Sequence, residues 1–148
     1  MQIRRALPAD IPDLMALEKC AVTASHWSQE QYQGIFTNAA VSRIALVIEH
    51  EARIDGFLIA RAVEHDWEIE NLAVAGPARR RGLGTRLLGE FLDLARKGGA
   101  ESVFLEVRES NRAARSLYEK WAFVESGVRP RYYRDPEEDA VTYGLAFP

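Results

Sequence analysis

The chain has 148 residues, 47% of them hydrophobic, with a formal net charge of −3 and one cysteine. This length suits one domain spanning residues 1–148, and the hydrophobic content is sufficient for a core. No apolar run approaches the length of a membrane span, and no apolar stretch follows Arg4 and Arg5 as it would in a signal peptide. Because the single cysteine, Cys20, excludes an internal disulfide, the composition predicts a reducing, cytoplasmic location without a membrane partner.

The first half of the chain predicts two helices and a β-hairpin. Cys20 lies near Leu14 and Leu17 in the first helix and is interpreted as a packed core thiol. Ser28 and Gln31 form a capping box at the start of the second helix. The predicted elements are a strand around Ile3, helices over residues 10–22 and 28–37, and strands over residues 43–48 and 54–63 joined by a turn at 49–53.

The second half predicts further strands separated by helices. The predicted strands cover residues 67–74, 102–107, 124–128 and 140–147, and a helix covers residues 111–121. Another helix follows residue 82 and ends at Gly98 and Gly99; its predicted apolar face consists of Leu83, Leu87, Leu88, Phe91, Leu94 and Ala95. This order of elements predicts a mixed α/β fold.

A basic glycine loop opens that helix and is predicted to hold a polyphosphate. The first N–H groups of a helix have no partner within the helix, and the helix dipole adds partial positive charge there. Gly82 and Gly84 lack a Cβ atom, so an anion can approach the backbone closely. Arg79, Arg80 and Arg81 add side chains suited to phosphate oxygens.

By itself the glycine pattern has other interpretations. It lacks the third glycine of a dinucleotide fingerprint and the Gly-Lys-Ser/Thr of a P-loop. A solvated arginine-rich turn is the structural alternative. Contact with nucleic acid is disfavoured because the net charge is −3 and no second basic cluster occurs.

A second group of polar residues follows the predicted strand 102–107. Glu106 interrupts an apolar run, where a carboxylate is unusual unless it is exposed or functional. Asn111 and Tyr118 are seven residues apart, which places them on one helix face roughly 10 Å apart along the axis. Asn111 is equally explained as a helix cap, and Tyr118 as a core aromatic. Glu68 and Glu70, two apart in a strand and therefore on one face, are rival carboxylates.

These motifs resemble one enzyme family. Arg79-x-x-Gly82-x-Gly84 matches the Q/R-x-x-G-x-G/A signature of the GCN5-related N-acetyltransferases (GNAT superfamily), and the similarity extends to the bacterial ribosomal-protein alanine N-acetyltransferases (RimI type). It covers most of the chain and is dense from about residue 67 onward; its segments are Asn71-Leu72-Ala73-Val74, Leu105-Glu106-Val107-Arg108, Ser110-Asn111, Ala113-Ala114, Leu117-Tyr118, Arg129, Tyr132-Tyr133 and Glu138-Asp139-Ala140. The chain departs from the family at Pro77, one residue later than usual, and at Trp121-Ala122, where the family has Leu-Gly.

The resemblance implies a GNAT fold, with a mixed, mostly antiparallel central sheet flanked by helices. It implies transfer of acetyl from acetyl-CoA to an α-amine, namely the N-terminal alanine of a small-subunit ribosomal protein, with Glu106 as general base and Tyr118 as general acid. The implied acetyl-CoA contacts are Leu72, Ala73, Val74, Arg79, Arg80, Arg81, Gly82, Leu83, Gly84, Thr85 and Asn111. No metal is required, and His26, His50 and His65 show no metal-ligand spacing.

Two other functions are compatible with the same scaffold. One is acetylation of a small-molecule amine, and the other is a non-catalytic acyl-CoA-binding sensor. Glu106 and Tyr118 disfavour the sensor, because binding alone needs only the glycine loop. Trp27 and a predicted flexible loop containing Tyr132 and Tyr133 favour an extended peptide as the acceptor.

Overall fold

The computed structural model of the protein describes residues 1–20, 27–76 and 82–148. The predicted end of the first helix at residue 22 lies outside the described residues, and so do His26, Pro77 and the three arginines at 79–81. The prediction for the side chain of Cys20 also lies outside them. None of the described helices is long and apolar enough to cross a membrane.

The described elements follow the predicted order. The strands are β1 (Gln2–Arg5), β2 (Arg43–His50), β3 (Arg53–Val63), β4 (Asp66–Val74), β5 (Ser102–Arg108), β6 (Val124–Tyr133) and β7 (Glu138–Ala146). The helices are α1 (Ile11–Cys20), preceded by a 3-10 turn at Pro8–Asp10, then α2 (Gln29–Thr37), α3 (Leu83–Lys97) and α4 (Arg112–Lys120).

Two predicted boundaries were wrong. The hairpin turn is shorter than expected, because β2 and β3 pair as far as His50 and Arg53. Tyr132 and Tyr133 do not lie in a loop: β6 continues through Tyr133, which pairs with Glu138 of β7. Pairing with β7, the next strand along the chain, extends β6 beyond what its own sequence indicates.

The described strands form one sheet in the order β1-β2-β3-β4-β5-β7-β6. Neighbouring strands are antiparallel except β4 and β5, which are parallel and are connected through α3. This arrangement confirms the expected mixed, mostly antiparallel sheet with helices.

The sheet separates two apolar layers. On one face, α3 and α4 pack with alternate residues of the strands, including Leu58 of β3 and Leu105 of β5. On the other face, α1 and α2 pack with the intervening residues, such as Phe57 and Ile59. The strands β2, β3 and β4 therefore contribute to both layers through their two-residue period. The predicted apolar face of α3 is confirmed, with Leu92 buried in addition.

Short polar contacts define the helix ends. Ser28 Oγ accepts a hydrogen bond from the backbone N–H of Gln31, and Gln31 Oε1 accepts one from the N–H of Ser28, which confirms the capping box. The left-handed φ of Gly99, 87°, follows the end of α3 as predicted.

A β-bulge in β4 creates the space in which the candidate site lies. Ile59 of β3 is opposite Asn71 and Ala60 is opposite Ile69, so Glu70 is the extra residue. The parallel pairing of β4 with β5 ends at Ile69 and Leu105. Beyond this point the two strands no longer pair, and the sheet is split.

Candidate active site

A cavity occupies the split between β4 and β5. It contains about 410 Å³ of non-protein space, part of which is open to solvent. Its walls come from β4, β5, α4 and the end of β6; the lining residues are Ile69, Glu70, Asn71, Leu72, Glu106, Val107, Arg108, Asn111, Ala114, Tyr118 and Tyr133. The cavity therefore brings together Glu106, Asn111 and Tyr118, which the sequence placed on two separate elements.

Glu106 enters the cavity from β5 on the face of the sheet that carries α1 and α2, since its neighbours Leu105 and Val107 point to the α3 side. Its Oε1 lies 3.3 Å from Nε of Arg129, whereas its buried Oε2 has no hydrogen-bond partner among the described residues. Burial raises the pKa of this carboxyl above its usual value, Arg129 opposes the rise, and the negative charge of Glu68 adds to it.

The rival carboxylates are already engaged. Glu68 Oε1 accepts a hydrogen bond from Nε of Arg61 at 2.7 Å, and Glu70 Oε1 accepts one from Nε of Arg43 at 2.9 Å. Glu70 also lines the cavity. One oxygen of each rival thus accepts a charge-assisted hydrogen bond, whereas Glu106 Oε2 has no partner among the described residues, so the geometry favours Glu106 as the base.

Tyr118 approaches the cavity from α4, on the opposite face of the sheet. Its side chain is only 4% exposed and packs against the rings of Phe123 and Tyr143 at centroid distances of 5.6 and 6.2 Å. Burial and the nearby Tyr133 raise the pKa of the Tyr118 hydroxyl, so it remains protonated at neutral pH. Tyr118 is thus both a core aromatic and a residue of the cavity wall.

Asn111 is the cap of α4 and also lines the cavity. Its Oδ1 accepts a hydrogen bond from the N–H of Ala114 at 3.1 Å. Ala114 and Tyr118 line the cavity from the same helix, which confirms that Asn111 and Tyr118 share a face. The two roles considered for Asn111 are therefore compatible with each other.

The start of α3 offers backbone donors. Gly82 is the N-cap residue of this helix and has a φ of 74°. Because glycine has no side chain, it makes no capping hydrogen bond to the backbone N–H groups of Leu83, Gly84 or Thr85 within the described part of the chain. Gly84 has a packing role that the sequence did not reveal: a Cβ atom there would lie 3.3 Å from Cδ2 of Leu117. Arg79, Arg80 and Arg81 lie outside the described residues.

The cavity wall on β4 presents backbone as well as side chains. The N–H of Ala75 donates a hydrogen bond to the carbonyl of Asp55 on β3. In an antiparallel pair, successive N–H groups point alternately towards the partner strand and away from it. The N–H of Ala73 therefore also points to β3, and the N–H of Leu72 points towards the split. Ala73 itself packs into the α1 and α2 layer. Of the three predicted strand contacts, Leu72 and Val74 share the backbone orientation away from β3, and Leu72 is the one named in the cavity wall.

Two cavity residues were missed by sequence reasoning about individual side chains. Arg108 is buried, and its guanidinium carbon lies 4.5 Å from the centre of the Tyr133 ring. The guanidinium donates hydrogen bonds to the carbonyls of Arg134 and Pro136. Its Nε has no partner among the described residues. Asn71 is also buried and has an unpartnered Oδ1. A polar residue within an apolar strand was the available signal for both.

Comparison with known proteins gives a uniform result. The model of the Acetyltransferase (GNAT) family matches residues 11–123. The chain is 33% identical over 138 residues to the ribosomal protein bS18-alanine N-acetyltransferase of Salmonella typhimurium, covering 92% of this chain and 90% of that protein. The crystal structure of the ribosomal-protein-S18-alanine N-acetyltransferase from Escherichia coli superposes with a TM-score of 0.84 at 30% identity, covering 98% of this chain and 92% of that one. That of Ard1 from Thermoplasma volcanium gives 0.87 at 27% identity, covering 99% and 97%.

Proposed function

The chain belongs to the acetyltransferase (GNAT) family and is an N-acetyltransferase, and we propose that it transfers acetyl from acetyl-CoA to the N-terminal α-amine of an alanine in a small-subunit ribosomal protein. The names of its relatives from Salmonella and Escherichia coli support this acceptor. The proposal includes a single domain over residues 1–148 that acts in the cytoplasm, without contact to nucleic acid or membrane.

One observation supports the chemistry above all others. Glu106 and Tyr118 line the same cavity but reach it from opposite faces of the sheet. One presents an unpartnered carboxylate oxygen, and the other presents a hydroxyl that stays protonated. An acyl transfer from a thioester to an amine needs such a proton acceptor and such a proton donor on the two sides of the reacting carbonyl.

In the proposed reaction, Glu106 removes the proton from the attacking amine as the new C–N bond forms. The N–H of Leu72 stabilises the negative charge that develops on the carbonyl oxygen. Tyr118 then donates its proton to the sulfur as the C–S bond breaks, so that CoA leaves as a neutral thiol. Exchange with solvent returns a proton to Tyr118 and removes the one on Glu106.

An α-amine suits a carboxylate base better than a lysine does. Its intrinsic pKa is about 2.5 units below that of lysine, so deprotonation at neutral pH is easier by roughly 3.5 kcal/mol. In a peptide, the carbonyl group of the first residue lies two bonds from the α-amine. Arg108 lines the same cavity, and its Nε, which has no partner among the described residues, can donate a hydrogen bond to this carbonyl.

The start of α3 fits the phosphates of acetyl-CoA. The backbone at Gly82 is free of a side-chain cap in the described residues, and no heavy atom there lies within 4 Å of the position a Cβ would take. We assign the pyrophosphate to the N–H groups of Leu83, Gly84 and Thr85 together with Arg79, Arg80 and Arg81. Asn111, on the cavity face of α4, would contact the pantetheine arm.

The experiment that tests this function is mass spectrometry of peptides incubated with the protein and acetyl-CoA. The panel holds peptides with alanine or other residues at position one, and N-terminally blocked peptides with lysine as the only amine. We expect one acetyl group on the α-amine of the alanine peptide. Modification of lysine or of small amines alone would contradict the proposed acceptor, and a chain that binds acetyl-CoA but modifies nothing would be a sensor.

A further inference from the structure

A buried polar network lies directly behind the cavity wall. Glu18 of α1 is 5% exposed, and its Oε1 accepts hydrogen bonds from the hydroxyl of Tyr32 at 2.9 Å and from the N–H of Trp27 at 2.8 Å. The Nδ2 group of Asn71 donates to both Glu18 Oε1 and the Tyr32 hydroxyl at 3.4 Å. The network therefore joins α1 and α2 to β4 at the point where the sheet splits.

This network determines which way the Asn71 amide points. A carboxylate accepts hydrogen bonds and cannot donate them, and the Tyr32 proton is already directed at Glu18. The amide NH₂ must therefore face Glu18, and Oδ1 must face away from it. Asn71 is 4% exposed and lines the cavity, yet its Oδ1 has no hydrogen-bond partner among the described residues.

A second unpartnered acceptor lines the same cavity. Asn71 lies on β4, and it packs on the α1 and α2 side of the sheet, where Glu106 of β5 also points. Asn71 Oδ1 and Glu106 Oε2 thus border the split from its two strands on one face. Buried acceptors without hydrogen-bond donors are unfavourable. A ligand that satisfies both of these oxygens has one nitrogen atom with several N–H bonds, as an amine does.

We propose that Asn71 Oδ1 binds the acceptor amine, accepting a hydrogen bond from it opposite Glu106, and that Glu18 is the positioning residue that holds the amide in this orientation. The proposal rests on the proposed function, because it assigns the amine of that reaction to a second contact. It makes Asn71 a determinant of acceptor affinity, separate from proton transfer by Glu106 and Tyr118.

Steady-state kinetics with an alanine-starting peptide test this assignment in the Asn71→Leu variant, which keeps the volume but removes the acceptor. We expect the KM for the peptide to rise about 10- to 100-fold, with kcat nearly unchanged, because a contact made equally in the ground and transition states is lost. The thermal shift caused by acetyl-CoA should stay at the parent value. The matched ligand is the same peptide without its α-amino group, used as a competitive inhibitor; its inhibition constant should be the same for variant and parent.

Two further variants separate amine binding from folding. Tyr32→Phe disturbs the same network but leaves Asn71 Oδ1 in place, so its KM should stay within about twofold of the parent, since Glu18 still holds the amide. Asn71→Ser removes the amide oxygen without placing an apolar side chain beside Glu18, and its hydroxyl is too short to reach the amine. It should show the KM rise even if Asn71→Leu fails to fold.

Several results would overturn the assignment. A parent-like KM in both Asn71 variants would do so, as would a loss confined to kcat. An equal rise for the peptide and its des-amino analogue, or an equal rise in Tyr32→Phe, would attribute the effect to the shape of the cavity. Failure of the parent protein to acetylate the peptide would instead refute the proposed function.

Discussion

Replacing Glu106 by glutamine keeps the size of the side chain but removes its ability to take up a proton near neutral pH. The structure predicts little damage to the fold. The contact that is lost, to Arg129, involves a guanidinium side chain that is 60% exposed, and such pairs contribute about 0–1 kcal/mol. Burial raises the pKa of Glu106, so ionising this carboxyl costs more in the folded protein than in the unfolded chain, and a neutral glutamine carries no such cost.

The effect on catalysis should depend strongly on pH. Loss of a general base lowers the rate about 10²- to 10⁴-fold. Without the base, the rate follows the neutral fraction of the acceptor, which rises tenfold for each pH unit up to about pH 8 for an α-amine. We therefore expect a large deficit in Glu106→Gln near pH 6.5 that narrows steadily towards pH 8.5.

The assay is the initial rate of acetylation of an alanine-starting peptide from pH 6 to 9, beside thermal melts of each variant. Glu68→Gln and Glu70→Gln are matched controls, because each also removes a carboxylate beside an arginine. We expect smaller losses in both controls, without alkaline recovery. A melting temperature within about 3 °C of the parent would exclude a folding defect as the cause in Glu106→Gln.

The base assignment is refuted if Glu106→Gln follows the parent pH profile while Glu68→Gln or Glu70→Gln shows the alkaline recovery. A deficit in Glu106→Gln that is the same at every pH would also argue against proton transfer, because a structural defect does not respond to the ionisation of the substrate.

Four other changes have defined outcomes. Tyr118→Phe keeps the buried ring and should retain the acetyl-CoA thermal shift while kcat falls at least about 10²-fold; an unchanged kcat, with chemistry shown to be rate-limiting, would leave the residue a core aromatic. Gly82→Val should lose the thermal shift given by acetyl-CoA. Its free energy of unfolding should fall by about 1–2 kcal/mol, because the φ of 74° at this position is strained for a residue with a Cβ. A parent-like thermal shift would contradict the phosphate site. Ala122→Gly should raise stability by about 1 kcal/mol in a denaturant melt, since Ala122 has a φ of 69°, and no gain would mean the backbone relaxes there. Arg129→Gln removes the charge that lowers the pKa of Glu106, so the acidic limb of the rate profile should move to higher pH; an unmoved limb would show that another group titrates.

Local sequence determined the helices and most strands. The period of apolar residues defines the buried face of α3, and Ser28 with Gln31 defines the start of α2, because both depend on residues within a few positions of each other. The end of β6 was mispredicted for the opposite reason. Tyr132 and Tyr133 continue the strand only because β7 is there to pair with it.

The family departure at Trp121-Ala122 also acquires a physical meaning only in three dimensions. Trp121 does not line the cavity; its ring packs over α3, where a Cβ atom at Gly89 would lie 3.0 Å from it. The departure at Trp121 therefore affects the packing beneath α4. Ala122 takes a left-handed φ of 69° where the family has glycine. Nothing in the sequence near Trp121 links it to Gly89.

Sequence alone determined that Glu68, Glu70, Glu106 and Tyr118 were candidates for proton transfer, but it could not rank the three carboxylates. The tertiary structure distinguishes them, because Arg61 and Arg43 approach the first two from β3 and β2, while Glu106 keeps one buried oxygen without a partner in the described residues. The same holds for Asn71, whose amide is oriented by Glu18, far away in the chain. Burial and ion pairing arise from contacts between distant segments, and these contacts decide which polar atoms in the cavity are left without a partner among the described residues.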